Sequence, residues 1–162
     1  MLQNDDSVPA EPGAHLAEES AAWQTLLNLL EEETRALING EADRLAPLNA
    51  AKLSQLDALG ELARVRHAGL RAAGYSTDHA GMADWLAKQR QPEYLTCWQR
   101  LCEMEQQAQV MNQRIGMLID LRLTSTRQAL NVLVQTATRQ DGLYDQAGQS
   151  VGAGKGKRII AV

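Results

Sequence analysis

The sequence contains no phenylalanine, and aromatic residues make up only 4% of the chain. Runs of β-branched and aromatic residues, which are the usual signal for strands, are nearly absent. The apolar residues, 44% of the chain, are mostly leucine and alanine. Because leucine and alanine are strong helix formers, this composition predicts an all-α fold.

Other absences narrow the class of protein. No apolar run approaches the ~20 residues that a membrane helix requires, and residues 1–13 are too polar and acidic for a signal peptide. We therefore expect no membrane insertion. A net charge of −4 argues against a general nucleic-acid interface, so no nucleic-acid partner is expected. Cys97 and Cys102 would point in different directions on one helix, which makes a disulfide between them improbable and favours a reduced, cytoplasmic setting.

Residues that could carry catalysis are scattered. His15, His67 and His79 form neither an HExxH pattern nor a Glu-x-x-His pattern, and the two cysteines lack C-x-x-C spacing. We interpret the cysteines as small buried hydrophobes. Residues 152–158 (GAGKGKR) resemble a phosphate loop only poorly, because their spacing is one residue short and no Ser or Thr follows the lysine. The sequence predicts no enzyme, no metal site and no cofactor.

The longest helical pattern covers residues 92–140. Pro92 suits a first helical turn, and apolar residues then recur every three or four positions. Gly116 is the one possible breaker within it. The sequence leaves open whether this segment is one helix or two, with a bend or break between residues 107 and 116.

Three further helices are predicted, near residues 15–39, 41–73 and 82–90. Asn39-Gly40 and Gly74 are stop signals. Pro47 is expected to kink the second helix or to split off a short first piece. Glu18, Glu19 and Glu31 to Glu33 are expected to face solvent. Met82, Trp85 and Leu86 are expected to cap one end of the bundle.

These elements predict an elongated antiparallel bundle of three to four helices at residues 14–141. A disordered N-terminal arm at residues 1–13 and a flexible, glycine-rich C-terminal tail at residues 142–162 would flank it. The long segment carries more apolar residues than one stripe needs: Met104, Val110, Met117, Leu121, Leu123, Leu130 and Val134. Either a broad bundle core takes them, or some line an exposed groove for a partner helix.

The order of these signals resembles the FlgN family of flagellar type III export chaperones. The resemblance rests on LLNLLEEETRALINGEADRL, PLNAAKLSQL, GMADWL, QVMNQRIGMLIDLRLTSTRQALNVL and the closing GLYDQAGQS. These stretches span roughly residues 14–150. No single motif is highly specific, since helices rich in Leu and Glu are common. The resemblance rests on the occurrence of these helical stretches together with the C-terminal Tyr-Asp-x-x-Gly sequence.

The resemblance implies a non-enzymatic cytosolic chaperone. It would bind the amphipathic C-terminal helices of hook-associated (hook–filament junction) proteins, keep them unassembled and deliver them to the cytosolic domain of the export gate. We expect substrate contacts at Ile115, Leu118, Leu123, Leu130 and Val134. Gate contacts are expected at Tyr144, Asp145 and Gly148. The free form would be a monomer or a weak homodimer. The alternative is a homo-oligomeric coiled-coil scaffold with no role in secretion.

Overall fold

The computed structural model describes residues 10–141, which form four helices and, within that range, no strand. They are α1 (Leu16–Asn39), α2 (Ala42–Ala72), α3 (His79–Lys88) and α4 (Pro92–Asp141). The all-α bundle is therefore confirmed. The long C-terminal segment is one helix of 50 residues that runs through Gly116. Pro47 lies inside α2 without dividing it.

Both predicted glycine stops end a helix. Gly40 follows α1 with φ 74°, and the backbone N–H of Glu41 donates to the carbonyl of Ala36. Gly74 has φ 81°, and the N–H of Tyr75 donates to the carbonyl of Leu70. Glycine adopts this left-handed conformation without a Cβ clash, so each glycine closes a Schellman-type turn.

Helix α3 begins three residues earlier than predicted because Asp78 caps it. The Asp78 carboxylate accepts a hydrogen bond from the backbone N–H of Gly81 at 2.9 Å and from the Ser76 hydroxyl at 2.6 Å. The Ser76 bond, followed by the Gly81 bond, holds the pKa of Asp78 below its ordinary value. The signal for this cap was present in the sequence, since Asp is among the preferred N-cap residues.

The described residues fall into two units, 10–119 and 120–141. Within the first unit, α2 runs antiparallel to α1, because residues late in α1 pair with residues early in α2, and the reverse. Helix α4 runs parallel to α1 as far as residue 119, since Trp23 and Ala108 line one cleft and Thr34 and Arg114 line the next.

Two apolar clusters form the core of the first unit. One contains Leu26, Leu27, Leu30, Leu37, Leu59, Met104, Ala108 and Ile115. The other contains Leu16, Leu70, Met82, Trp85, Leu86, Trp98 and Leu101. The second cluster confirms that Met82, Trp85 and Leu86 close one end of the bundle. Of the surplus apolar residues of α4, only Met104 joins a buried cluster.

The expectation that all the glutamates of α1 face solvent was wrong. Glu19 is 2% exposed, and its carboxylate accepts two hydrogen bonds from the Arg66 guanidinium, at 3.0 and 3.1 Å. Glu33 is also buried and accepts from Lys52 Nζ at 2.7 and 2.9 Å. Both basic residues lie on α2, so each ion pair joins α1 to α2.

The last residues of the predicted N-terminal arm pack against the helices. Pro12 and Gly13 are buried, and a Cβ on Gly13 would lie 2.8 Å from the rings of Trp85 and Tyr94. A Cβ on Gly69 would strike the carbonyl oxygen of Ala10. We call residues 10–13 the N-terminal strap. The remainder of the predicted arm, residues 1–9, and the predicted tail, residues 142–162, lie outside the described residues.

Candidate functional site

The second unit presents a helical stretch whose side chains are all accessible. Every residue from 120 to 138 is exposed, and we call this stretch the exposed segment. The Thr136 hydroxyl donates to the carbonyl of Val132, one turn earlier in the same helix, at 2.8 Å. Since helices gain most of their stability from packing an apolar face, a bare helix of this length is only marginally stable in water.

Apolar side chains of the exposed segment gather on one side of the helix. Leu123, Leu130 and Val134 follow one another at steps of seven and four residues, and Leu133 lies three residues after Leu130. Residues at these spacings share a helical face. Leu130 is 59% exposed and Val134 57% exposed. This row, which we call the apolar row, has the spacing by which an amphipathic helix binds another helix.

A second, smaller apolar pair lies on a different side of the same segment. Leu121 and Val132 are eleven residues apart, which also returns to one face of a helix. They are 67% and 62% exposed, close to the values for Leu130 and Val134. They therefore provide a matched control surface within the exposed segment.

The structure divides the five predicted substrate-binding residues. Leu123, Leu130 and Val134 lie on the apolar row. Ile115 is 2% exposed in the first core cluster, and Leu118 is half-buried against that cluster. The predicted gate residues Tyr144, Asp145 and Gly148 lie outside the described residues. The binding roles of all eight stay predictions.

A cleft in the first unit was missed by sequence reasoning. It has a volume of about 220 Å³ and an apolar floor that includes Trp23, Leu26, Leu30 and Ala108. Lys52 and Glu105 are among the residues that line it. Leu56 of α2 also lines the cleft and is 44% exposed. That exposure depends on how the helices pack, so the sequence carried no signal for the cleft.

The fold also brings together a cysteine and a histidine that are far apart in the sequence. Cys102 Sγ lies 3.7 Å from His79 Nδ1, and Glu105 Oε2 lies 3.9 Å from His79 Nε2. A nucleophilic cysteine needs a lowered pKa, since the thiolate is the reactive form. Burial, followed by the nearby Glu105 carboxylate, instead raises the pKa of the Cys102 thiol. The arrangement therefore lacks the activation that thiol catalysis requires.

Both cysteines are free thiols and are half-buried rather than fully buried.

Among residues 10–141, no group of three or more His, Cys, Asp or Glu side chains is placed to hold a metal ion. None of the helices in that range is both long and apolar enough to cross a membrane.

Comparison with known proteins connects this geometry to a family. The family model described as FlgN protein matches residues 11–152. Among solved structures, the chain is similar to a flagella synthesis protein FlgN from Pseudomonas aeruginosa, with 32% sequence identity and a TM-score of 0.60. The alignment covers 73% of this chain and 91% of that one. No curated protein sequence gave a match. Because the family model spans most of the sequence, the chain belongs to the FlgN family and is a flagellum-related protein.

Proposed function

We propose that this chain is a cytosolic, non-enzymatic export chaperone of the flagellum. It binds the amphipathic C-terminal helices of hook-associated junction proteins, keeps them unassembled and delivers them to the type III export gate. Membership of the FlgN family supports the flagellar role. The single observation that supports the chaperone role is the apolar row, which is exposed at Leu123, Leu130 and Val134.

The physical argument concerns the unassembled substrate. An amphipathic terminus that has not yet found its place in an assembly exposes an apolar stripe, and such a stripe aggregates unless another helix covers it. A helix with its own exposed row at i, i+7 and i+11 can provide that cover by helix-to-helix packing. Binding would also supply the packing that the exposed segment lacks.

The test compares two double variants that remove similar amounts of exposed apolar surface. Leu130→Gln/Val134→Gln alters the apolar row, and Leu121→Gln/Val132→Gln alters the control face. We expect the first to weaken binding of a hook-associated C-terminal segment at least tenfold, since each buried aliphatic side chain contributes about 1.5–3 kcal/mol. The second should bind almost normally. Isothermal titration measures the affinities, and circular dichroism checks that helix content is unchanged.

Two outcomes would contradict the proposal. Equal weakening by both double variants would mean that the row has no special role. An obligate homo-oligomer in light scattering, with no binding of any hook-associated segment, would favour the coiled-coil scaffold instead.

Delivery to the gate is proposed for the residues around Tyr144. Tyrosine offers a large, rigid contact area at low entropic cost, which makes it frequent among interface hot spots. The family resemblance assigns a tyrosine at this point to gate docking, with Asp145 and Gly148 shaping the loop that presents it. This part of the proposal rests on the sequence alone.

A further inference from the structure

Charge is distributed unequally between the two units. Residues 1–119 contain 17 acidic and 10 basic residues, a net charge of −7. Residues 120–162 contain 3 acidic and 6 basic residues, a net charge of +3. The part of the chain from residue 120 onward, which includes the apolar row, is thus basic, although the whole chain has a charge of −4.

The excess of basic over acidic residues is clearest in the stretch of α4 that contains the apolar row. No acidic residue occurs from residue 121 to 140, whereas arginines stand at 122, 127 and 139. Arg127 lies four residues after Leu123, three before Leu130 and seven before Val134. These are the spacings of neighbours on a helix surface, so the exposed guanidinium of Arg127 borders the apolar row.

We infer that the helix bound by the apolar row is acidic, with Asp or Glu flanking its own apolar stripe. This inference rests on the proposed function and specifies the chemistry of its substrate. In helix pairs, charges beside the apolar seam select the partner, since opposite charges attract and like charges repel. A second copy of this chain would bring two basic segments together, so the same charges disfavour self-pairing through the row.

The size of this electrostatic effect depends on how exposed the charges are. Pairs of exposed charges contribute little to affinity, but they alter the association rate and its salt dependence. The inference therefore predicts a ranking among partners rather than a large gain in affinity. The ranking of partner affinities tests the inference. On net charge alone, a molecule with a charge of −4 would favour basic ligands over acidic ones.

The experiment uses the full-length chain and three helical peptides of about three heptads. All three peptides carry the same leucine stripe, and their flanking positions hold only Glu, only Gln or only Lys. We expect the Glu peptide to bind about two- to fivefold more tightly than the Gln peptide, and the Lys peptide to bind least well. Raising the salt concentration should narrow these differences.

Two charge reversals on α4 provide the matched comparison. Arg127→Glu should lower the affinity for the Glu peptide and raise it for the Lys peptide. Arg100→Glu makes the same change in net charge at an exposed position in the first unit, and it should leave the ranking intact. Circular dichroism confirms that both variants keep the parent's helix content.

The outcomes separate the inference from the proposed function. If all peptides bind equally, or if Arg100→Glu shifts the ranking as Arg127→Glu does, the inference is wrong while the proposed function stands. If the ranking holds and Leu130→Gln/Val134→Gln weakens every peptide, both are supported. Absence of binding by every peptide would overturn the inference, whereas the proposed function is decided by the titration with the hook-associated segment. A stable homodimer that buries the row would overturn both.

Discussion

At the scale of single residues, the two buried ion pairs join α1 to α2. Arg66 makes a two-pronged contact with Glu19, and its guanidinium also lies 4.8 Å from the ring centroid of Trp98 on α4. One arginine of α2 therefore contacts both α1 and α4. Removing one partner of a buried pair leaves the other charge without compensation, which costs more than the pair contributes.

We predict that Glu19→Gln lowers the free energy of unfolding by about 3–5 kcal/mol, because Arg66, whose side chain is only 10% exposed, would remain charged without its counter-ion. Urea unfolding measures the change. Glu18→Gln is the matched control. Glu18 is exposed and pairs with the half-buried His15 at 3.0 Å, so its replacement should cost less than about 0.5 kcal/mol. Equal effects from the two variants would show that the buried pair has no special role.

These pairs also show what the sequence could not predict. A periodic pattern assigns charged residues to the solvent side of a helix, which is where we expected Glu19 and Glu33. Their partners, Arg66 and Lys52, are 47 and 19 residues away and belong to a different helix. Such a pairing depends on how two helices are aligned, and the pattern of one helix does not contain that information.

At the scale of elements, helix ends and lengths followed from local chemistry. Gly40 and Gly74 end α1 and α2 as predicted, because a left-handed residue after a helix is a property of glycine itself. The start of α3 was missed because Asp78 was not weighed as a cap. The sequence also could not predict which apolar residues of α4 join the core and which, such as those of the apolar row, remain exposed. Periodicity continues along α4, and it does not reveal where the partner helices stop covering it.

Two glycines of α2 differ in what surrounds them, and this gives an element-scale prediction. Nothing lies within 4 Å of a Cβ built on Gly60, so Gly60→Ala should stabilise the chain by about 0.5–1 kcal/mol through helix propensity. A Cβ on Gly69 would strike the backbone of the N-terminal strap. We expect Gly69→Ala to displace the strap and to be less stable than Gly60→Ala in thermal unfolding.

Limited proteolysis near residue 10 provides a second measurement for the strap. Cleavage there should become faster in Gly69→Ala and stay at the parent rate in Gly60→Ala. If both variants gain stability equally and resist cleavage equally, the position of the N-terminal strap does not depend on its close contact with Gly69.

At the scale of the whole molecule, the proposed activities use different parts of the chain. Substrate binding is assigned to the apolar row and gate docking to Tyr144, so the two should be separable by mutation. We predict that Tyr144→Ala keeps the helix content and the substrate complex but weakens binding to the gate's cytosolic domain by about 2 kcal/mol or more. Titration with that domain measures the loss.

Leu130→Gln/Val134→Gln should show the reverse selectivity, with weakened substrate binding and parental affinity for the gate domain. Tyr144→Phe is the conservative control, since it keeps the ring and removes only the hydroxyl. A Tyr144→Ala variant that binds the gate domain as well as the parent would refute the assignment.

The full exposure of residues 120–138 has a consequence for how this stretch can evolve. A substitution in a packed core is first tested by folding, and most changes there are rejected before function is considered. A substitution at Leu123, Leu130 or Val134 creates no cavity and unpairs no buried group, so under the proposed function selection there acts mainly through the partner helix. Under the proposed function, the exposed segment is therefore free to change together with the helix that it binds, while the packed residues of the first unit stay the same.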